Sequence, residues 1–139
     1  MNAPEIVITH EDFQRLCGLL ADAPASRQRA LERLDAEVAR ARLVSASAVG
    51  SDVVTMNTRL IVEELTSNAR RVVTIVYPEE ANAEEGRVSI DSPLGSALIG
   101  LRTGQTIEWS VSGRPPARYR VGAILHQPQA AAARAGELR

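Results

Sequence analysis

The chain of 139 residues has no lysine, one cysteine, two histidines and only 3% aromatic residues. The absence of lysine excludes every mechanism that needs a lysine amine, such as Schiff-base formation. The single cysteine, Cys17, excludes an intramolecular disulfide and fits a reducing compartment. So few aromatic side chains argue against a stacking surface for single-stranded nucleic acid, and they predict a core built from aliphatic residues and alanine.

Charge and hydropathy narrow the class of protein further. The 16 basic and 17 acidic residues give a net charge of −1, which argues against binding to nucleic acid through bulk charge. No apolar run approaches the ~20 residues of a membrane span. Residues 1–11 lack the basic-then-apolar order of a secretory signal. The sequence therefore predicts a cytoplasmic protein.

Helical periodicity dominates residues 1–46. One apolar stripe has the spacing of an amphipathic helix: Phe13, Leu16, Cys17 and Leu20. A second has the a/d spacing of a coiled coil: Leu31, Leu34, Val38 and Ala41. Pro24 separates the two stripes, which predicts a short antiparallel helical hairpin. Thr9 or His10 is the expected N-cap of the first helix, and Asp22 or Ser26 that of the second.

From residue 47 the pattern changes to short β-rich segments. We predict strands near residues 53–62, 70–77, 87–90, 104–111 and 118–125, with a turn at 66–68. Between the third and fourth strands, Asp91 or Ser92 caps a two-turn helix that has Pro93 at its first position and ends at Gly100. The predicted class is α+β, with a hairpin over 1–46, an antiparallel sheet domain with one short helix over 47–128, and a tail over 129–139.

The sequence lacks the motifs that would identify an enzyme. His10 and His126 lie far apart, with no nearby cysteine or paired carboxylates, so the spacing of a metal site is missing. The sequence contains no Gly-x-Ser-x-Gly, no phosphate-binding P-loop and no Gly-x-Gly-x-x-Gly. We expect no catalytic residue, no metal and no cofactor.

Residues 88–108 resemble the signature of the C-terminal domain of the bacterial transcript-cleavage factors GreA and GreB, through Ser-Pro-Leu-Gly-Ser-Ala-Leu-Ile-Gly and the following Gly104. Four shorter segments resemble the Rnk-type branch of the same superfamily, in which the coiled coil is short: residues 53–59, 76–78, 107–109 and 127–131. The resemblance implies an FKBP-like fold for the sheet domain. It also implies a regulator that binds RNA polymerase at its secondary channel, competes with Gre factors and meets nucleic acid only within the transcription complex.

The resemblance also implies roles for particular residues. In the Gre pattern, an Asp-Ser-Pro triplet at the start of the short helix contacts the channel rim, and this chain has that triplet at Asp91, Ser92 and Pro93. Gre factors carry an acidic pair at the coiled-coil tip that helps to hold a second magnesium ion for RNA cleavage. This chain offers Asp22 alone at the tip, so we expect no cleavage activity.

Other interpretations of the same residues stay open. The triplet is also a plain helix cap with proline at the first position, and Asp22 is also an exposed turn residue. A cleavage-stimulating factor would need a second acid at the tip. A peptidyl-prolyl isomerase, which the FKBP-like fold suggests, would need an aromatic pocket, for which the sequence offers Tyr77, Trp109 and Tyr119.

Overall fold

The computed structural model describes residues 4–109, 113 and 115–137, with the side chains of all of these except residues 29, 30, 109 and 135–137. This part of the chain is mixed α and β, as expected. Its helices are α1 (His10–Ala21), α2 (Gln28–Arg40), α3 (Pro93–Leu98) and α4 (Pro128–Glu137). Its strands are β1 (Val7–Thr9), β2 (Arg42–Val44), β3 (Arg59–Glu64), β4 (Arg70–Val76), β5 (Arg87–Ser89), β6 (Thr106–Trp109) and β7 (Ala117–His126).

Helices α1 and α2, with the connector at residues 22–27 between them, form what we call the helix pair. The prediction that Thr9 caps α1 is confirmed, because its Oγ1 accepts a hydrogen bond from the Asp12 N–H at 3.2 Å. The prediction that Asp22 or Ser26 caps α2 is wrong. The connector passes through a 3₁₀ turn at Ala25–Arg27, so Arg27 occupies the N-cap position and its side chain makes no capping hydrogen bond.

Two short parallel strands flank the helix pair. β1 overlaps residues 4–8, where the sequence allows a short extended segment, whereas the three residues of β2 carry too little alternation to be recognised. The Val7 N–H also donates to the Gly100 carbonyl at 3.1 Å. Gly100 has φ of +80°, and a Cβ there would lie 2.7 Å from Cβ of Ile6. Only glycine therefore allows this strand to lie so close to the end of the α3 region.

The main sheet has the strand order β5-β4-β3-β7-β6 and is antiparallel except for the β4–β5 pair. Register shifts between β3 and β7 interrupt the ladder, and the sheet curls. The expected strand at residues 53–62 is shorter, because Thr55–Thr58 form a turn in which the Thr58 N–H donates to the Thr55 carbonyl at 3.1 Å. Asn57 within that turn has φ of 64°, which a strand does not accommodate.

One aliphatic core joins the helix pair to the sheet. The helix pair contributes Leu16, Leu31, Leu34 and Val38; α3 contributes Leu94, Ala97 and Leu98; and the strands include Leu60, Val62, Val73 and Ile75. Both predicted apolar stripes thus face this core, and α2 packs along α3. The helix pair is a packed part of the fold.

The alanine-rich segment after residue 127 was expected to be a tail and instead forms α4. Gln127 anchors its start: the buried side-chain Nε2 donates to the carbonyls of Gly50 and Val53 at 2.8 and 2.7 Å, and Oε1 accepts from the Ala130 N–H. Alanine has the highest helix propensity, so an anchored first turn is enough to propagate the helix. Within the described residues, none of the helices has the length and apolar character that crossing a bilayer requires.

Gly95 allows α3 to lie directly on the end of β5. A Cβ at this position would collide with the Ser89 carbonyl and lie 3.1 Å from Cα of Ile90. We expect Gly95→Ala to lower the free energy of unfolding by about 1–3 kcal/mol through overpacking. Urea unfolding monitored by circular dichroism measures the change.

Gly18 provides the matched control, because it is exposed on α1 and a Cβ there meets nothing within 4 Å. Gly18→Ala should raise the free energy of unfolding by about 0.5–1 kcal/mol, since alanine restricts the unfolded chain. A Gly95→Ala variant as stable as wild type would mean that the close contact between α3 and β5 is wrong.

Candidate partner-binding site

The Asp-Ser-Pro triplet lies where β5 ends and α3 begins. Ser92 is the N-cap: its Oγ accepts from the Gly95 N–H at 3.1 Å and donates to the Ser89 carbonyl at 2.6 Å. Pro93 follows at the first helical position and is exposed. The predicted cap is therefore confirmed, with Ser92 rather than Asp91 in the capping role. Its two hydrogen bonds hold the first turn of α3 against the end of the sheet.

Asp91 is enclosed by residues of the same chain. Only 8% of it is exposed, and its Oδ1 accepts a hydrogen bond from the Ser89 hydroxyl. Its Oδ2 forms an ion pair with Nη2 of Arg27, whose side chain is 48% exposed. Both carboxylate oxygens are thus engaged, and the more exposed member of the pair is the arginine.

Sequence reasoning did not identify Arg27 as a partner of the triplet. It is one of 16 arginines and lies 64 positions from Asp91, so no local pattern singles it out. The packing of α2 on α3 brings the two residues together. The structure thus joins the connector of the helix pair to the triplet.

Asp22 occupies the connector as expected and is exposed. It is the C-cap residue of α1, and its backbone N–H donates to the Gly18 carbonyl at 3.0 Å. Residues 22–27 contain no second acid. Within the part of the chain that the structure describes, no cluster of three histidine, cysteine, aspartate or glutamate side chains is arranged to hold a metal ion.

A second set of contacts fixes the start of α1 on the sheet. Oδ2 of Asp12 accepts from the Met56 N–H at 3.1 Å. Burial raises the pKa of Asp12 above its ordinary value, and this effect outweighs the opposing influence of the Met56 hydrogen bond. Further along α1, the guanidinium of Arg15 stacks over the ring of Tyr77, 3.8 Å from its centre.

Tyr77 is buried, and its hydroxyl has no hydrogen-bond partner among the described residues. Burial, reinforced by the negative charge of Asp12, raises the pKa of Tyr77 to about 12. Tyr119 is buried as well. The side chain of Trp109, the third aromatic residue that an isomerase pocket could use, lies outside the described residues.

An open groove of about 660 Å³ lies elsewhere, on the outer side of β4 and the loop before β5. The exposed Val72 lies in its wall. The charged residues that line it are of both signs: Arg59, Arg71, Arg87, Glu84 and Glu85. Arg87 is paired with Glu85. This mixture of charges points to no single ligand chemistry.

Comparison with known families matches both parts of the chain. The family described as "Transcription elongation factor, GreA/GreB, C-term" matches residues 49–126, and the family described as "Rnk N-terminus" matches residues 4–44. The triplet lies in the first match and Arg27 in the second.

Individual relatives agree with these families. The "Regulator of nucleoside diphosphate kinase" of Escherichia coli strain K12 is 34% identical over 131 residues, which cover 94% of this chain and 96% of the relative. The "Transcription elongation factor GreA" of Brucella anthropi is 32% identical over 92 residues, 66% of this chain and 59% of that protein. A solved structure, "Prokaryotic transcription elongation factor GreA/GreB from Nitrosomonas europaea", is 33% identical with a TM-score of 0.71, and the match covers 89% of this chain and 100% of that one.

The contacts at Tyr77 generate a stability prediction. Tyr77→Phe removes a buried hydroxyl that has no partner among the described residues, while it keeps the ring beneath Arg15. The free energy of unfolding at pH 7 should rise by about 1 kcal/mol, because an unsatisfied buried polar group is removed. Urea unfolding at pH 7 tests this.

Tyr77→Phe should also change how the free energy of unfolding depends on pH above pH 10. Between the ordinary tyrosine pKa of 10.0 and the folded value of about 12, the unfolded chain releases a proton that the folded chain keeps. Tyr77 therefore has no effect on the pH dependence of stability below pH 10, and it lowers the free energy of unfolding as pH rises toward 12. The pKa of Tyr119 is also raised, so its ionisation also lowers the free energy of unfolding at alkaline pH. Tyr119→Phe is therefore the matched variant, in which the effect of Tyr77 remains. If the free energy of unfolding of Tyr77→Phe fell as steeply at alkaline pH as that of wild type, the raised pKa of Tyr77 would be contradicted.

Proposed function

The chain belongs to the GreA/GreB superfamily, as a member of its Rnk-type branch, and from this premise we propose that it is a transcription regulator that binds RNA polymerase at the rim of the secondary channel. The observation that carries the proposal is the triplet at the start of α3, present at the positions expected from the Gre pattern. Pro93 is exposed, Ser92 is half-buried, and Asp91 lies beside the exposed guanidinium of Arg27. This function belongs in the cytoplasm, where bacterial transcription takes place.

The protein acts by occupying the polymerase rather than by chemistry of its own. Cleavage factors of the superfamily place two acids at the tip of a long coiled coil, where they help to hold a metal ion. Here the connector carries Asp22 alone. At 1.5 Å per residue, α1 with its 12 residues and α2 with its 13 are only about 18–20 Å long. One carboxylate at the end of so short a helix pair favours competition with Gre factors for the same rim over stimulated cleavage.

The first prediction concerns binding to polymerase. Asp91→Asn removes the charge but keeps the shape, and Pro93→Ala removes an exposed apolar surface. Each should weaken binding about tenfold, or about 1.4 kcal/mol, if these residues lie at the centre of the contact. Titration of fluorescently labelled protein with RNA polymerase measures the dissociation constant, and displacement by purified GreA reports whether the two proteins share a site.

Asp35→Asn is the matched control, because Asp35 is exposed on α2 and loses the same charge outside the triplet. Circular dichroism and urea unfolding establish that each variant is folded. Wild-type affinity in both triplet variants would show that the partner does not use the start of α3.

The second prediction concerns cleavage. In backtracked elongation complexes, the purified protein should leave the rate of transcript shortening at the intrinsic level and should slow the cleavage that added GreA stimulates. Gel analysis of 3′-labelled RNA measures the released fragments. Fragment release above the intrinsic rate would favour the alternative of a cleavage-stimulating factor, for which Asp22 is the exposed candidate acid, and Asp22→Asn would then be expected to abolish it.

A further inference from the structure

Arg27 occupies the position that a cationic side chain of a partner would need. Asp91 has one oxygen on the Ser89 hydroxyl and the other on the Arg27 guanidinium. With only 8% of Asp91 exposed, a partner's arginine or lysine reaches the carboxylate only where Arg27 now lies. The two cations are therefore alternatives at Oδ2.

The side chain of Arg27 is free to leave without disturbing the fold. It is 48% exposed and belongs to a 3₁₀ turn whose other residues, Ala25 and Ser26, are exposed too. The anchoring of α2 begins one turn later, where Leu31 and Leu34 are buried in the core. Rotation of one arginine into water therefore opens the site while the helix pair stays packed.

We propose that Arg27 is an internal competitor that masks Asp91 until a cationic side chain of the partner displaces it. The proposal rests on the proposed function, since it concerns the regulation of the same contact. Exchange of one cation for another leaves the enclosed carboxylate paired throughout, which avoids the high cost of an unpaired buried charge. The partner surface is accordingly basic, with an arginine or lysine opposite α3.

The proposal predicts the direction in which affinity changes. If Arg27 competes, Arg27→Gln should tighten polymerase binding by about two- to fivefold, the range expected for loss of one partly exposed ion pair. If Arg27 instead holds the site ready or contacts the partner itself, the same variant would bind more weakly. Competition and preorganisation therefore predict opposite changes in the affinity of Arg27→Gln for polymerase.

The experiment compares four proteins by titration with RNA polymerase: wild type, Arg27→Gln, Arg27→Lys and Arg33→Gln. Arg33 is exposed on α2, six residues after Arg27, so its substitution removes the same charge nearby and should leave affinity unchanged. Arg27→Lys keeps a cation and should bind with an affinity between wild type and Arg27→Gln. It also remains informative if Arg27→Gln is too unstable to purify.

The outcomes separate this inference from the proposed function. Tighter binding by Arg27→Gln but not by Arg33→Gln supports competition, even where wild-type binding is too weak to measure. Equal or weaker binding by Arg27→Gln, or equal tightening by Arg33→Gln, overturns the competition and leaves the proposed function intact. No binding by any of the four proteins overturns both.

Discussion

Burial of one aliphatic surface shared by α2 and α3 brings together Arg27 and Asp91, the ion pair at the candidate site. Each buried leucine contributes about 1.5–3 kcal/mol, and four of them meet here: Leu31, Leu34, Leu94 and Leu98. An ion pair with one half-exposed member contributes at most about 1 kcal/mol. The core therefore positions the helix pair, and the Arg27–Asp91 contact follows from that packing. The helices need this shared core, because helices of this length are marginal when isolated.

The chemistry at the start of α3 depends on the same packing. Ser92 satisfies the first turn of the helix, so Asp91 is released from the capping role and its carboxylate is available to a cation. In this structure the cation is the guanidinium of Arg27 in the same chain. The acid that the resemblance offers for partner contact is, in the folded protein, one member of an ion pair whose more exposed member is basic. The electrostatic character of the surface is thus set by a residue from the other half of the chain.

Local features could be predicted from the sequence, and long-range pairings could not. The sequence narrows the two caps to Thr9 or His10 and to Asp91 or Ser92, because a cap depends on four or five consecutive residues, and the structure selects Thr9 and Ser92. The parallel pairing of β1 with β2 and the contact between Arg27 and Asp91 join positions more than 30 residues apart, and they depend on how α2 packs. Helix α4 was missed for a related reason: its anchor is the hydrogen bonding of Gln127 to carbonyls of residues 50 and 53.

The shared core also bears on why a short helix pair suits occupation of a site better than delivery of a catalytic group. A delivering arm must project beyond its domain, so its apolar stripes have to pack against each other. Here the stripes of both helices belong to the core that includes residues of the sheet and α3, and Arg27 of the connector is paired with Asp91 of the triplet. A partner that docks at the triplet would therefore also meet Arg27, the last residue of the connector. The triplet and the last residue of the connector therefore form one surface, which suits the proposed role of occupying a site on the polymerase.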